Sequence, residues 1–304
     1  MSKNRCAIAT HELTRRFGRK LALDRVSAHV PVGSIYGLMG PNGAGKTTFV
    51  RCLLNLINPT SGSATVLGHD VVRDSVAVRR RVGHVAALQP LWEWMTVREF
   101  ASFMAGCYPR WNPETVSGIL SRVGVEPHQR IQTLSRGQRT LASLAVAIGH
   151  EPELLLLDEA LTGLDPISRR EVLRNVIDVM HAEGRTVLIT GQDIADMERI
   201  CDHVGFLIRG QLFWESTLEE LKARVKRLRV EHPDGAPAVP PGALRVERAA
   251  RETQFTVSNF SPALVDSLSA PGLRVEVMDL GLEDIFVDLA QPQLNASGSA
   301  QVRA

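Results

Sequence analysis

The chain has 304 residues, 44% hydrophobic and 22% charged, with 35 Lys/Arg against 33 Asp/Glu and a formal net charge of +2. This is a globular composition, long enough for two domains. The near-balance of charge argues against a nucleic-acid face, since the densest basic segments, Arg79–Arg81 and Lys222–Arg229, read as solvated helix faces.

The polar start, Met1–Thr10, does not resemble a secretory leader. No apolar run reaches the roughly 18 residues that a membrane helix needs. Cys6, Cys52, Cys107 and Cys201 are scattered without CxxC spacing, so reduced thiols in the cytosol are expected.

In chain order, Ala7–Ala9, Val26–Val32 and Ser34–Leu38 read as short strands. A glycine-rich segment at 40–45 follows, then a helical stretch Thr47–Ile57, broken by Asn58-Pro59-Thr60-Ser61-Gly62, and a strand Ser63–Gly68. Residues 97–148 are mostly helical: Val97, Phe100, Phe103 and Met104 share a face, Asn112-Pro113 is a start and Gly124 a stop. Ser135-Arg136-Gly137-Gln138 has capping-box spacing and opens a helix ended by Gly149.

Leu154–Leu157 is an unbroken apolar run, as a strand buried on both faces should be. A helical stripe from Val172 to Met180 stops at Gly184, Val187–Thr190 is a strand, and Asp193–Cys201 is helical. Gly205–Ile208 and Leu212–Trp214 form a hairpin around Arg209-Gly210-Gln211. Residues 232–242 are a Pro/Gly/Ala-rich linker. Beyond it come strands Leu244–Glu247, Gln254–Val257 and Leu273–Val277, and helices Pro262–Leu268 and Leu282–Leu289. The alternation of strand and helix specifies an α/β class with a mainly parallel sheet.

Gly40-Pro41-Asn42-Gly43-Ala44-Gly45-Lys46-Thr47 matches GxxxxGK[ST] in full, between a strand and a helix. Its glycines let successive N–H groups converge on phosphate, and the helix that follows presents its positive end. Lys46 is expected on the β- and γ-phosphates and the Thr47 hydroxyl on Mg²⁺. Asp158, ending an apolar strand, is the expected Mg²⁺ acid, and Glu159 the candidate general base.

These residues, with Leu134-Ser135-Arg136-Gly137-Gln138 similar to the signature LSGGQ and Leu164-Asp165 similar to the D-loop, resemble the ABC ATPase family over about residues 5–220. The resemblance implies a P-loop NTPase core of mixed, mainly parallel sheet, with a helical subdomain at about 90–150, in an ATPase domain spanning 5–222. A small α+β domain at 223–290 and a disordered tail at 291–304 complete the expected organisation. The nucleotide site would comprise Gly40 to Thr48, Phe17 stacked on adenine, and Ser135, Gly137, Gln138 and Asp165.

The resemblance further implies a head-to-tail dimer, homomeric or with a related ATPase subunit, sandwiching two ATP with Mg²⁺. Leu280-Gly281-Leu282-Glu283-Asp284-Ile285-Phe286 is similar to the ending of single-domain ATPases of bacterial type-2 exporters. The expected partner is therefore a separate transmembrane permease, the expected place the cytoplasmic face of the membrane, and the expected activity ATP hydrolysis that drives export. A nucleotide-gated regulatory module with slow or negligible hydrolysis, and a soluble non-transport ABC ATPase, stand as alternatives.

Three positions depart from the family pattern. Ala87 stands where a Mg²⁺-contacting glutamine is usual, and Gln89 either substitutes for it or is ordinary loop surface. Arg136 replaces the first signature glycine and either meets phosphate or points to solvent, the second being the expectation. Gln192 replaces the switch histidine; it can hydrogen-bond but cannot carry a proton, so slow hydrolysis is expected. Trp92 and Trp94 are candidates either for the permease interface or for the helical-subdomain core.

Overall fold

Residues 6–86, 91–233, 237–268 and 273–295 are described by the computed structural model; the expectations for Ala87, Gln89 and residues 296–304 lie outside them. The chain opens with β1 (Cys6–Phe17), turns at Gly18 (φ 55°) into β2 (Lys20–Val26), and continues through β3 (His29–Pro31). The fully buried β4 (Ile35–Met39) leads into α1 (Lys46–Leu53), then β5 (Ser61–Val66), β6 (His69–Asp70), α2 (Ser75–Arg81) and β7 (Val82–Ala86). Helices α3 (Val97–Ala105) and α4 (Pro113–Arg122), a 3₁₀ turn at Ile131–Thr133 and α5 (Arg136–Gly149) follow.

The alternation then resumes with β8 (Leu154–Asp158), α6 (Pro166–Glu183), β9 (Thr186–Gly191), α7 (Ile194–Glu198), β10 (His203–Ile208) and β11 (Gln211–Thr217). The remainder is α8 (Leu218–Arg224), β12 (Lys226–Glu231), β13 (Ala243–Arg248), β14 (Glu252–Val257), α9 (Pro262–Leu268), β15 (Arg274–Met278) and α10 (Leu282–Asn295).

Contacts group these elements into two units: residues 1–193 with 200–215, and residues 194–199 with 216–304. The first unit carries a six-stranded sheet, β11-β10-β4-β9-β8-β7, in which β10, β4, β9, β8 and β7 run parallel. A second sheet, β2-β1-β5-β6 with β3 on β1, is antiparallel. Helix α1 contacts β2 and β5 of one sheet and β8 and β9 of the other, and its Phe49, Val50 and Leu53 join one buried cluster with Leu13, Leu23, Leu156, Leu188 and Leu207. Burying a side chain such as Phe49 contributes about 1.5–3 kcal/mol. The helix that presents the glycine-rich loop is thus fixed between two sheets.

The second unit is built on an antiparallel sheet, β13-β14-β12-β15. Leu228, Val230, Phe255, Val257 and Leu268 form its core, with Leu264, Val265 and Val275 packed against them.

Four expectations change. Residues 10–25 form most of a β1–β2 hairpin, which register shifts at Leu13–Arg16 and the positive φ of Glu12 (46°) hide from a two-residue periodicity. Helix α1 stops at Leu53 rather than Ile57, because Asn55 turns left-handed (φ 50°), a conformation that asparagine tolerates. The basic run Lys222–Arg229 is no single helix face: it ends α8 and then starts β12, where Leu228 and Val230 point inward and Arg229 outward. Helix α10 continues to Asn295, into the segment expected as tail: Leu289 and Ala290 are buried just before that segment, and the helix runs on through Pro292 against that residue's helix-breaking tendency.

Candidate nucleotide site

The parallel sheet delivers two strand ends side by side. In register, Met39 of β4 pairs with Gly191 of β9, and Asp158 of β8 pairs with Thr190 of β9. The chain leaves β4 directly into the glycine-rich loop. A Cβ on Gly40 would lie 2.1 Å from the Leu207 carbonyl oxygen, so only glycine fits that close approach. Gly45, the residue before α1, has φ 113° and would place a Cβ 2.5 Å from the Ala22 carbonyl oxygen. The β2 strand of the hairpin therefore abuts the loop.

Lys46 is 2% exposed, and its Nζ donates to the carbonyls of Gly40 (2.9 Å) and Pro41 (3.1 Å). It also pairs with Glu159 Oε1 at 3.1 Å. Thr47 Oγ1 donates to Asp158 Oδ1 at 3.1 Å, and the buried Thr190 Oγ1 donates to the same oxygen at 2.8 Å. Glu159 stands at φ 52°, in left-handed backbone unusual for glutamate, with its N–H donating to Thr190. Lys46, Thr47, Asp158 and Glu159 are thus brought together at the glycine-rich loop, one ammonium with two carboxylates. A hydroxyl and a carboxylate meeting at one point suit a hard cation, and the bare N–H groups of a loop at a helix start suit phosphate.

Thr190 is a member of this cluster that sequence reasoning missed. Its contribution comes from a neighbouring strand, and only its place at the end of an apolar strand could have drawn attention. His84 lies on β7, paired in register with Leu156 of β8. Burial holds its imidazole below the usual histidine range, against the pull of Asp158 in the other direction.

Phe17 is 45% exposed at the tip of the hairpin, with the Arg15 guanidinium 4.5 Å from its ring centroid. Gln192 follows β9; it is exposed, with no hydrogen bond among the described residues.

The signature segment forms a second cluster, and none of its hydrogen bonds reaches the glycine-rich loop. Ser135 caps α5 in a reciprocal capping box with Gln138: Gln138 N–H donates to Ser135 Oγ (3.2 Å) and Ser135 N–H to Gln138 Oε1 (3.0 Å). Asp165 accepts from the N–H groups of Ile167 and Ser168 and from Ser168 Oγ at 2.6 Å, which together hold its carboxyl below the usual range. Gly137 faces that same serine, where a Cβ would lie 2.0 Å from Ser168 Oγ. Arg136 is exposed, as expected, but not free in solvent: its guanidinium lies where a Cβ of Gly163 would be, 2.4 Å from that position.

Trp92 and Trp94 are 40% and 65% exposed, so neither is a core residue. Trp92 meets Phe103, itself 48% exposed, edge-on at 4.8 Å.

Residues 23–162 match the family model described as ABC transporter. The chain is 31% identical over 298 residues to the bacitracin transport ATP-binding protein of Enterococcus faecalis, covering 93% of this chain and 96% of that protein. It is 32% identical over 222 residues to the protein of the same name from Bacillus licheniformis, covering 72% of each. Among solved structures, the ATP-binding subunit of an ABC transporter superposes with a TM-score of 0.65 at 23% identity, covering 71% of this chain and 92% of that one, a likeness of fold.

Proposed function

The chain belongs to the ABC transporter family, as an ATP-binding subunit with ATPase activity; from this premise, we propose that it works with a separate membrane permease, closes as a dimer around two ATP and drives an exporter. The convergence of Lys46, Thr47, Asp158, Glu159 and Thr190 on the glycine-rich loop carries the reading. The exporter class is supported by the similarity to the bacitracin transport ATP-binding protein of Enterococcus faecalis along nearly the full chain.

In this reading the loop N–H groups and the start of α1 receive the phosphates, and Lys46 turns from Glu159 to the γ-phosphate. Mg²⁺ would be held by Thr47 Oγ1 and the Asp158 carboxylate, where it would neutralise charge between the β- and γ-phosphates. Glu159, released from Lys46, accepts the proton of the attacking water. Ser135, Gly137 and Gln138 meet the nucleotide of the partner subunit, because Ser135 opens α5 and the positive end of a helix favours phosphate. Asp165 shapes the adjoining surface by fixing the start of α6. Gln192 faces the γ-phosphate without carrying a proton.

Among the described residues, no helix is long and apolar enough to cross a membrane. The permease would dock from the membrane's cytoplasmic side on the exposed aromatics Trp92, Trp94 and Phe103. A Trp92→Ala/Trp94→Ala variant should lose co-purification with the permease while binding ATP normally; intact assembly would remove the aromatics from that interface.

Steady-state turnover tests the catalytic reading. Glu159→Gln should lower it by about 100-fold or more while retaining ATP binding. Undiminished turnover would refute Glu159 as base. A second reading, a nucleotide-gated module with negligible hydrolysis, is favoured by Gln192 in place of histidine. It predicts ATP-dependent dimerisation with no phosphate release even in the presence of the permease.

A further inference from the structure

Phe17 has two faces, and they are not equivalent. Arg15 lies two residues earlier on β1, and its guanidinium sits 4.5 Å from the Phe17 centroid. Its Nη1 donates to the Asn58 carbonyl at 2.7 Å, in the loop after α1. Two further bonds tie the same stretch to the same loop: Thr60 N–H donates to the Thr14 carbonyl (2.7 Å) and Arg16 N–H to Thr60 Oγ1 (3.0 Å). Arg15 Nε is buried and has no acceptor among the described residues. Arg15 is thus clamped, with one face of the ring beneath it, while Phe17 keeps 45% of its surface exposed.

We infer that Arg15 is a positioning residue for the nucleotide base: it backs Phe17 on one face, so that a purine stacks on the other in a three-layer guanidinium–phenyl–base arrangement. The physics has two parts. An exposed phenyl at a hairpin tip has rotamer freedom that a stacked ligand must remove, and a clamped guanidinium has already removed it. The cation also draws on the ring's π electrons, which fixes its plane. The geometry links the two ends of the site. Gly45 meets the Ala22 carbonyl at the N-terminal end of α1, and Asn58 beyond its C-terminal end holds Arg15, so the platform and the phosphate loop are referenced to one helix.

The inference rests on reading Phe17 as the base platform, and the test separates the two. Calorimetric titrations of the full chain with Mg·ATP and with Mg·tripolyphosphate would compare wild type, Arg15→Met, Phe17→Ala and the double variant. Arg15→Met should raise the ATP Kd about two- to five-fold and leave the tripolyphosphate Kd unchanged. The double variant should bind ATP no worse than Phe17→Ala alone. If Phe17→Ala weakens ATP but Arg15→Met does not, the role of Arg15 is overturned and the platform stands. If Phe17→Ala leaves ATP binding unchanged, the platform itself falls. An equal loss for ATP and tripolyphosphate in Arg15→Met would also overturn the inference, assigning Arg15 to the integrity of the phosphate loop.

Discussion

Thr190 touches no ligand in any reading, yet its hydroxyl fixes the oxygen of Asp158 that also receives Thr47. Thr190→Val keeps the shape and removes the donor. It should cost about 1–3 kcal/mol in stability, measured by denaturant unfolding, and raise the Mg²⁺ concentration needed for half-maximal turnover. Gln192→His restores a titratable group at the end of β9 and should raise turnover; unchanged turnover would mean that the rate is not limited there. Lys46, Thr47, Asp158 and Glu159 were legible because their chemistry is written in contiguous motifs. Thr190 was not, because its partner is 32 residues away and only the parallel register of β8 and β9 joins them. The same holds for Arg136: no local pattern told that its guanidinium rests against Gly163.

At the scale of elements, capped helices were the readable part. Asn112 with Pro113 begins α4, and Ser135 with Gln138 begins α5, each by a side chain that accepts from an N–H three residues on. Ser135→Ala should therefore cost about 1 kcal/mol in unfolding free energy, apart from any effect on turnover. The β1–β2 hairpin was unreadable for the converse reason, since bulges and an exposed, charged tip leave no alternation to count. The residue capping the end of α5 gives a pH signature. His150 is buried and stacked on Tyr108 at 3.9 Å, and burial pushes its pKa from 6.5 down to about 4. Its neutral form is the one the fold accepts. Its contribution is complete above pH 6.5 and declines as pH falls toward 4, where the folded form also protonates. His150→Leu should flatten the unfolding midpoint over that interval.

At the scale of the molecule, the second unit depends on one buried carboxylate. Asp288, 1% exposed on α10, accepts from Arg227 Nη2 (3.0 Å), Arg245 Nη1 (3.1 Å) and Thr256 Oγ1 (2.7 Å), so it ties that helix to β12, β13 and β14. Asp288→Ala leaves Arg227 without its carboxylate, while Arg245 keeps Glu247, and should destabilise this unit by about 1.5–3 kcal/mol, seen as an earlier transition in calorimetry. The composition of 232–242 marked a boundary, but composition cannot reveal that residues 194–199 belong by contact with 216–304.

That membership has a topological consequence. The covalent chain passes between the two units three times, at 193/194, 199/200 and 215/216, and the first passage comes one residue after Gln192. The second unit is laced to the first rather than hung from it by a thread. Within it, Glu198 of α7 receives the Leu282 N–H and pairs with Lys222. Cutting after Glu215 would leave α7 in place and take both partners away, so the damage would start beside the corner that carries Gln192. An activity lost on such a truncation would report that unlacing as much as any regulatory role of the removed residues.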